Sequence, residues 1–126
     1  ALFCRAFMPG APRQAAVQEA ANFIARYGEQ DEALNDLYFC YYATLALYQL
    51  QDHRWERWNA RLTRHLVASQ ETTGQLVGSW SPDTKWGPTG GRVYTTSMAC
   101  LCLETYYRYL PVFELAAARG REIHQR

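Results

Sequence analysis

Two stretches of this chain are almost free of charge, and that limits what it can fold into. No charged residue occurs between Asp36 and Asp52. Between Arg92 and Arg108 only Glu104 intervenes. The first stretch, Leu37 to Tyr48, is apolar or aromatic nearly throughout. It is too long for one strand, and Ala and Leu fill its second half, so it reads as a helix that must be covered on most sides. The second stretch, 92–108, reads the same way. Asp36 stands where an N-cap is wanted, its carboxylate able to accept from the first turn.

The segments before each stretch are different. Ala16, Val17, Ala20, Phe23, Ile24 and Tyr27 recur at spacings of three and four, opposite Gln14, Gln18, Glu19 and Arg26. Pro12 suits the first turn of this helix, and Gly28 is a natural stop. In 54–69, Trp55, Trp58, Leu62, Leu66 and Ser69 share one face, and Arg54, Glu56, Arg57, Arg61 and Arg64 form a solvated one. The polar stretch 29–36 reads as a connection. Residues 70–91 carry five glycines and two prolines and read as a long loop, functional or packed on itself, holding Trp80 and Trp86. Pro111 opens a last helix.

Half-wet and dry helices thus alternate, as two layers of helical hairpins require. The expected fold class is all-α, with about five helices. Repeat A spans about 12–50, repeat B about 54–108, and a terminal helix about 111–124. Tyr42-Ala43-Thr44 recurs as Tyr94-Thr95-Thr96, 52 positions later, early in each dry helix. Repeats of this kind bury their faces by stacking. The chain reads as a single domain or a fragment. Ala1-Leu2-Phe3-Cys4 begins in apolar sequence like the end of a helix, stopped by Pro9-Gly10.

Net charge is +1, too weak a field to gather nucleic acid or an anionic membrane. No apolar run reaches the ~18 residues of a membrane span. Cys4, Cys40, Cys100 and Cys102 form no C-x-x-C unit and read as buried free thiols. On a shared helix, Cys100 and Cys102 would point apart. His53, His65 and His124 are uncorrelated, so no metal set is expected. No cofactor and no catalytic group is expected either. Asp36 and Glu104 fall at opposite positions of their helices, which argues against a shared acid–base site.

The loop and the dry helices resemble a known family. Gln70 and Gln75 followed by Gly78-Ser79-Trp80 are similar to the glutamine–tryptophan repeat of squalene and hopene cyclases. The run from Gly78 through Trp86-Gly87, Gly90-Gly91-Arg92 and Tyr94-Thr95-Thr96 to Tyr106–Pro111 resembles bacterial prenyltransferase/squalene-oxidase repeat proteins. Tyr41–Thr44, Tyr48-Gln49, Trp55 and Trp58-Asn59 do too. The resemblance covers about 36–111. It implies a partial α/α-toroid, with Gln tying helix ends and Trp stacked over a neighbouring turn. The family's Asp-x-Asp-Asp acid is absent. Asp31-Glu32-Ala33-Leu34-Asn35-Asp36 is a poor match to a metal-binding Asp-Asp-x-x-Asp and reads as helix-start acids. Gly28-Glu29-Gln30 is similar to a thioester motif, but Tyr27 stands where that motif needs Cys.

The candidate ligand-binding residues are Tyr38, Tyr42, Tyr94, Arg92, Trp80 and Trp86. Tyr38, Tyr41, Tyr42, Tyr48 and Tyr94 could line a cavity for an apolar ligand or peptide, or simply pack a core. Gly90-Gly91-Arg92 could hold a phosphate or carboxylate; the plainer reading is a tight turn with Arg92 paired to Asp83 or Glu104. Trp80 and Trp86 read as loop staples, or as platforms for a glycan. The function expected is a non-catalytic repeat module that self-associates or docks onto the rest of a longer parent chain. The alternative is part of an isoprenoid- or lipid-handling enzyme whose acids lie elsewhere.

Overall fold

The computed structural model describes residues 14–108. They form an all-α fold of five helices: α1 (Ala15–Tyr27), α2 (Asp31–Leu34), α3 (Leu37–Leu50), α4 (His53–Ser69) and α5 (Gly87–Arg108). A 3-10 turn, Gly74–Leu76, lies in the loop between α4 and α5. The sequence-predicted helix end at 1–8, Pro12 and the helix at 111–124 fall outside the described residues.

α3 is the hub, packed against α1, α2, α4 and α5. Its N-cap is Asp36, whose Oδ1 accepts from the Phe39 N–H at 3.0 Å. At its other end Gln51 takes a left-handed conformation, φ 50°. Asp52 then caps α4 by accepting from the Arg54 N–H at 2.9 Å. Two residues therefore turn the chain. Tyr48 meets Trp55 at 5.1 Å between ring centroids, and farther along Thr44 Oγ1 accepts from Trp58 Nε1 at 2.9 Å. The pairing runs backwards along one helix as it runs forwards along the other, so α3 and α4 form an antiparallel hairpin. Thr44 also donates to the Cys40 carbonyl at 2.6 Å, which satisfies the buried hydroxyl in both roles.

α1 lies against α4 and α3. Its inward stripe is narrower than the sequence spacing implies. Val17 and Ala21 are buried, with Ala20 and Ile24 packed beside them. Ala16 and Phe23 face out, because α1 has neighbours on one side only. Gly28 does stop α1, but not through a left-handed turn: its φ is −65°. A Cβ there would lie 2.5 Å from Trp58 Cζ3, so the glycine admits the indole. The polar connection 29–36 holds the short α2, whose Ala33 and Leu34 are buried.

α5 corrects an expectation. Its charge-poor sequence suggested burial all round, yet Thr95, Ala99, Cys102 and Thr105 mark a single buried face. Val93 is 81% exposed and Tyr107 is 86% exposed. α3 is the only helix α5 packs against extensively among the described residues. The helix is also longer than expected, because a turn at 87–90 precedes a break at Gly91. There φ is 69° and ψ is −175°, a conformation nearly reserved for glycine.

The connecting loop is packed on itself. Gln70 and Trp80 form an antiparallel bridge, and the Gln70 Nε2 donates to the Gly78 carbonyl at 2.9 Å. Trp80 is buried, and its indole N–H donates to the Leu66 carbonyl in the last turn of α4 at 2.8 Å. The same carbonyl accepts from Ser69 Oγ at 3.2 Å, so the indole is tied to the end of α4.

Candidate functional site

Three of the six singled-out residues come together. Tyr38, Trp86 and Tyr94 line an open cleft of about 350 Å3, with Thr89 and Gly90. Each wall has a local cause. Tyr38 sits in the first turn of α3, two residues past the Asp36 cap. Tyr94 follows the Gly91 break in α5. Trp86 ends the loop directly before α5 and is 49% exposed, so it is a cleft wall and not a buried staple. Tyr42, one turn beyond Tyr38, packs on it at 4.8 Å between ring centroids and extends the aromatic surface past the cleft.

The other two residues lie elsewhere. Trp80 is the staple at the end of α4. Its backbone N–H also donates to Thr96 Oγ1 at 3.2 Å, and its carbonyl accepts from Thr95 Oγ1 at 3.0 Å. Arg92 reaches neither Asp83 nor Glu104. Its Nη1 donates to Ser79 Oγ at 3.1 Å and lies 3.7 Å from Glu71 Oε1. Glu104 is paired instead with Arg108, one turn along, at 2.7 Å. Tyr48 is buried against Trp55 and takes no part in the cleft.

Sequence reasoning missed the charged group at the cleft. Lys85 Nζ donates to Asp36 Oδ2 at 2.8 Å and lies 5.6 Å from the centroid of the Trp86 ring. Asp36 is buried; Lys85 is 55% exposed. The hydrogen bond from Lys85 to Asp36, and then that carboxylate's charge, hold the lysine above its ordinary pKa. Tyr94 is raised too, first by desolvation and then by the charges of Asp36 and Tyr38. One signal was available: Lys85 is the only lysine in a chain with twelve arginines.

A second buried charge was misplaced on the solvated face. Arg54 is 6% exposed, at the seam of α1 and α4. It is ion-paired with Asp52, and its two Nη atoms donate to Asn22 Oδ1 and Gln18 Oε1, each at 2.7 Å. Its Nε donates to Asp52 as well. With its donors taken up by protein groups, Arg54 clamps two helices.

The thiols divide. Cys40 and Cys102 are buried and free, but Cys100 is exposed. Burial pushes the Cys102 thiol up to about 12 and raises Cys40 as well, with the charges of Cys102 and Asp36 adding to it. Neither is a ready nucleophile, since the thiolate is the reactive form. Among the described residues no group of His, Cys, Asp and Glu could hold a metal ion. No described helix is long and apolar enough to cross a membrane. Asp31, in the poor metal-motif match, pairs with Arg61 at 2.7 Å. Compared with protein-family models, curated proteins and solved structures, the chain has no match.

Proposed function

We propose that this chain is a non-catalytic helical-hairpin repeat module, of the α/α-toroid kind, that works by self-association or by docking onto further repeats of a longer parent. The observation that carries this reading is the set of large apolar side chains left exposed on the two charge-poor helices. Tyr38 and Tyr42 on α3, and Val93, Tyr106 and Tyr107 on α5, are all exposed. Tyr38 packs on Tyr42 and Tyr106 on Tyr107, so aromatic surface is left open on each helix, and contiguous apolar surface of this kind is a mark of association. The Gln70–Gly78–Trp80 joint supports the repeat reading, because it ties an outer helix end to the start of the next dry helix.

Sedimentation velocity over a wide concentration range tests this. The expected result is association that grows with concentration and weakens in Tyr107→Ser. A compact monomer at all concentrations, with no binding of an apolar dye, would sink it.

A second reading is favoured by the aromatic cleft. The chain would then be part of an isoprenoid- or lipid-handling enzyme, with its catalytic acids outside this sequence. Saturable binding of an uncharged prenyl alcohol, lost in Trp86→Ala, would favour it.

A further inference from the structure

We infer that the cleft lined by Tyr38, Trp86 and Tyr94 is a recognition site for a methylated ammonium cation, with the Lys85 ammonium as its internal competitor. The faces of aromatic rings carry negative charge, and a cation near them is attracted. Three such rings line the cleft. The buried Asp36 carboxylate stands two residues before Tyr38 and binds Lys85, the neighbour of Trp86. Its Oδ1 is taken by the Phe39 N–H and its Oδ2 by Lys85, so to a newcomer it offers mainly charge. The remaining lining, Thr89 and Gly90, adds little hydrogen-bonding capacity.

That combination selects among ligands. An anion meets aromatic rings near a carboxylate. A sugar finds few of the planar polar partners it needs. A primary ammonium would leave donors unsatisfied. A quaternary ammonium has no donors, is weakly hydrated, and needs only faces and a field. The volume of about 350 Å3 suits a small ligand or head group. The site already attracts a cation of the chain's own: the single lysine lies by Trp86. Because Lys85 is more than half exposed on a flexible stem, it can withdraw. While in place it repels an incoming cation and neutralises Asp36.

Cation capture shares Tyr38 with the assembly reading, but binding at low protein concentration and sedimentation can each fail alone. The test compares choline with its uncharged isostere, 3,3-dimethylbutan-1-ol, on the full chain. Binding is read from broadening of each probe's methyl resonance and from fluorescence of Trp86, the one exposed tryptophan of four. Choline should bind saturably and at least roughly tenfold more tightly than the alcohol. Lys85→Gln should tighten choline severalfold and leave the alcohol unchanged. Trp86→Ala, at an exposed position and checked by circular dichroism, should abolish the methyl broadening. Equal binding of the two probes would make the cleft merely apolar and overturn the inference. So would the absence of saturable choline binding, weaker choline binding in Lys85→Gln, or unchanged binding in Trp86→Ala.

Discussion

α3 and α5 have the same kind of sequence, and their surroundings differ. Shifted by 52 positions, Thr44 falls on Thr96, Leu45 on Ser97 and Tyr48 on Cys100. Leu45 and Tyr48 are buried, whereas Ser97 and Cys100 are exposed. The difference comes from the next helix in the chain. A two-residue turn folds α4 back on α3, placing Trp55 on Tyr48 and Trp58 on Thr44. Among the described residues, nothing equivalent lies on α5. A helix without charges is therefore able to be buried, and the number of its neighbours decides whether it is.

The largest effect expected from this contrast is on stability. Trp58 is buried, bonded to Thr44 and edge-on to Phe39 at 5.9 Å. Trp58→Ala should cost about 3–5 kcal/mol in urea unfolding. Tyr107→Ala, on the open side of α5, should stay within about 0.5 kcal/mol at low protein concentration. Comparable losses at both positions would erase the distinction between the helices.

Acid should weaken the α4 side next. Burial alone would raise the Asp52 carboxyl, but hydrogen bonds from the Arg54 side chain and N–H, with the charges of Arg54 and His53, bring it net below its ordinary value. A carboxyl depressed in the folded state contributes stability above its unfolded pKa and loses it as pH falls through the folded one. His65 is lowered mainly by burial and then by Arg61, against the opposing pull of Asp31. The fold thus favours neutral His65, and that advantage is lost as pH falls below about 6.5. The urea midpoint should therefore decline in two stages, below about 6.5 and again below about 4. Asp52→Asn should remove the lower stage. A midpoint flat from neutral pH to strong acid would contradict both assignments.

The smallest effect is chemical. Iodoacetamide should label Cys100 in the folded protein and reach Cys40 and Cys102 only on unfolding, as mapped by peptide mass spectrometry. Equal labelling of Cys100 and Cys102 would mean that the buried face of α5 is not closed.

Part of the site was legible in the chain alone. Tyr38 and Tyr94 stood out as aromatics able to line a cavity, and they do meet in one; Trp86, read as a loop staple, joins them there instead. Trp80 stood out as a staple and is one. Arg92 was legible as a helix-start cation, but its partners, Ser79 and Glu71, depend on how the loop folds back. Lys85 was overlooked because nothing near it in sequence marks it. It lies 49 positions from the carboxylate that it binds.

The sequence by itself determined the all-α class, the dry α3, the half-wet α1 and α4 and the Asp36 cap, while the toroid-type arrangement remains part of the proposal. Period, capping and turn chemistry act within a few residues, so they can be read along the chain. The tertiary structure alone decided that Arg54 is buried, that Gly28 exists for Trp58, and that α5 keeps an open face. It also decided that a lone lysine meets a buried acid and a tryptophan that walls an aromatic cleft. Burial and charge pairing depend on neighbours tens of residues away, and only packing brings those together.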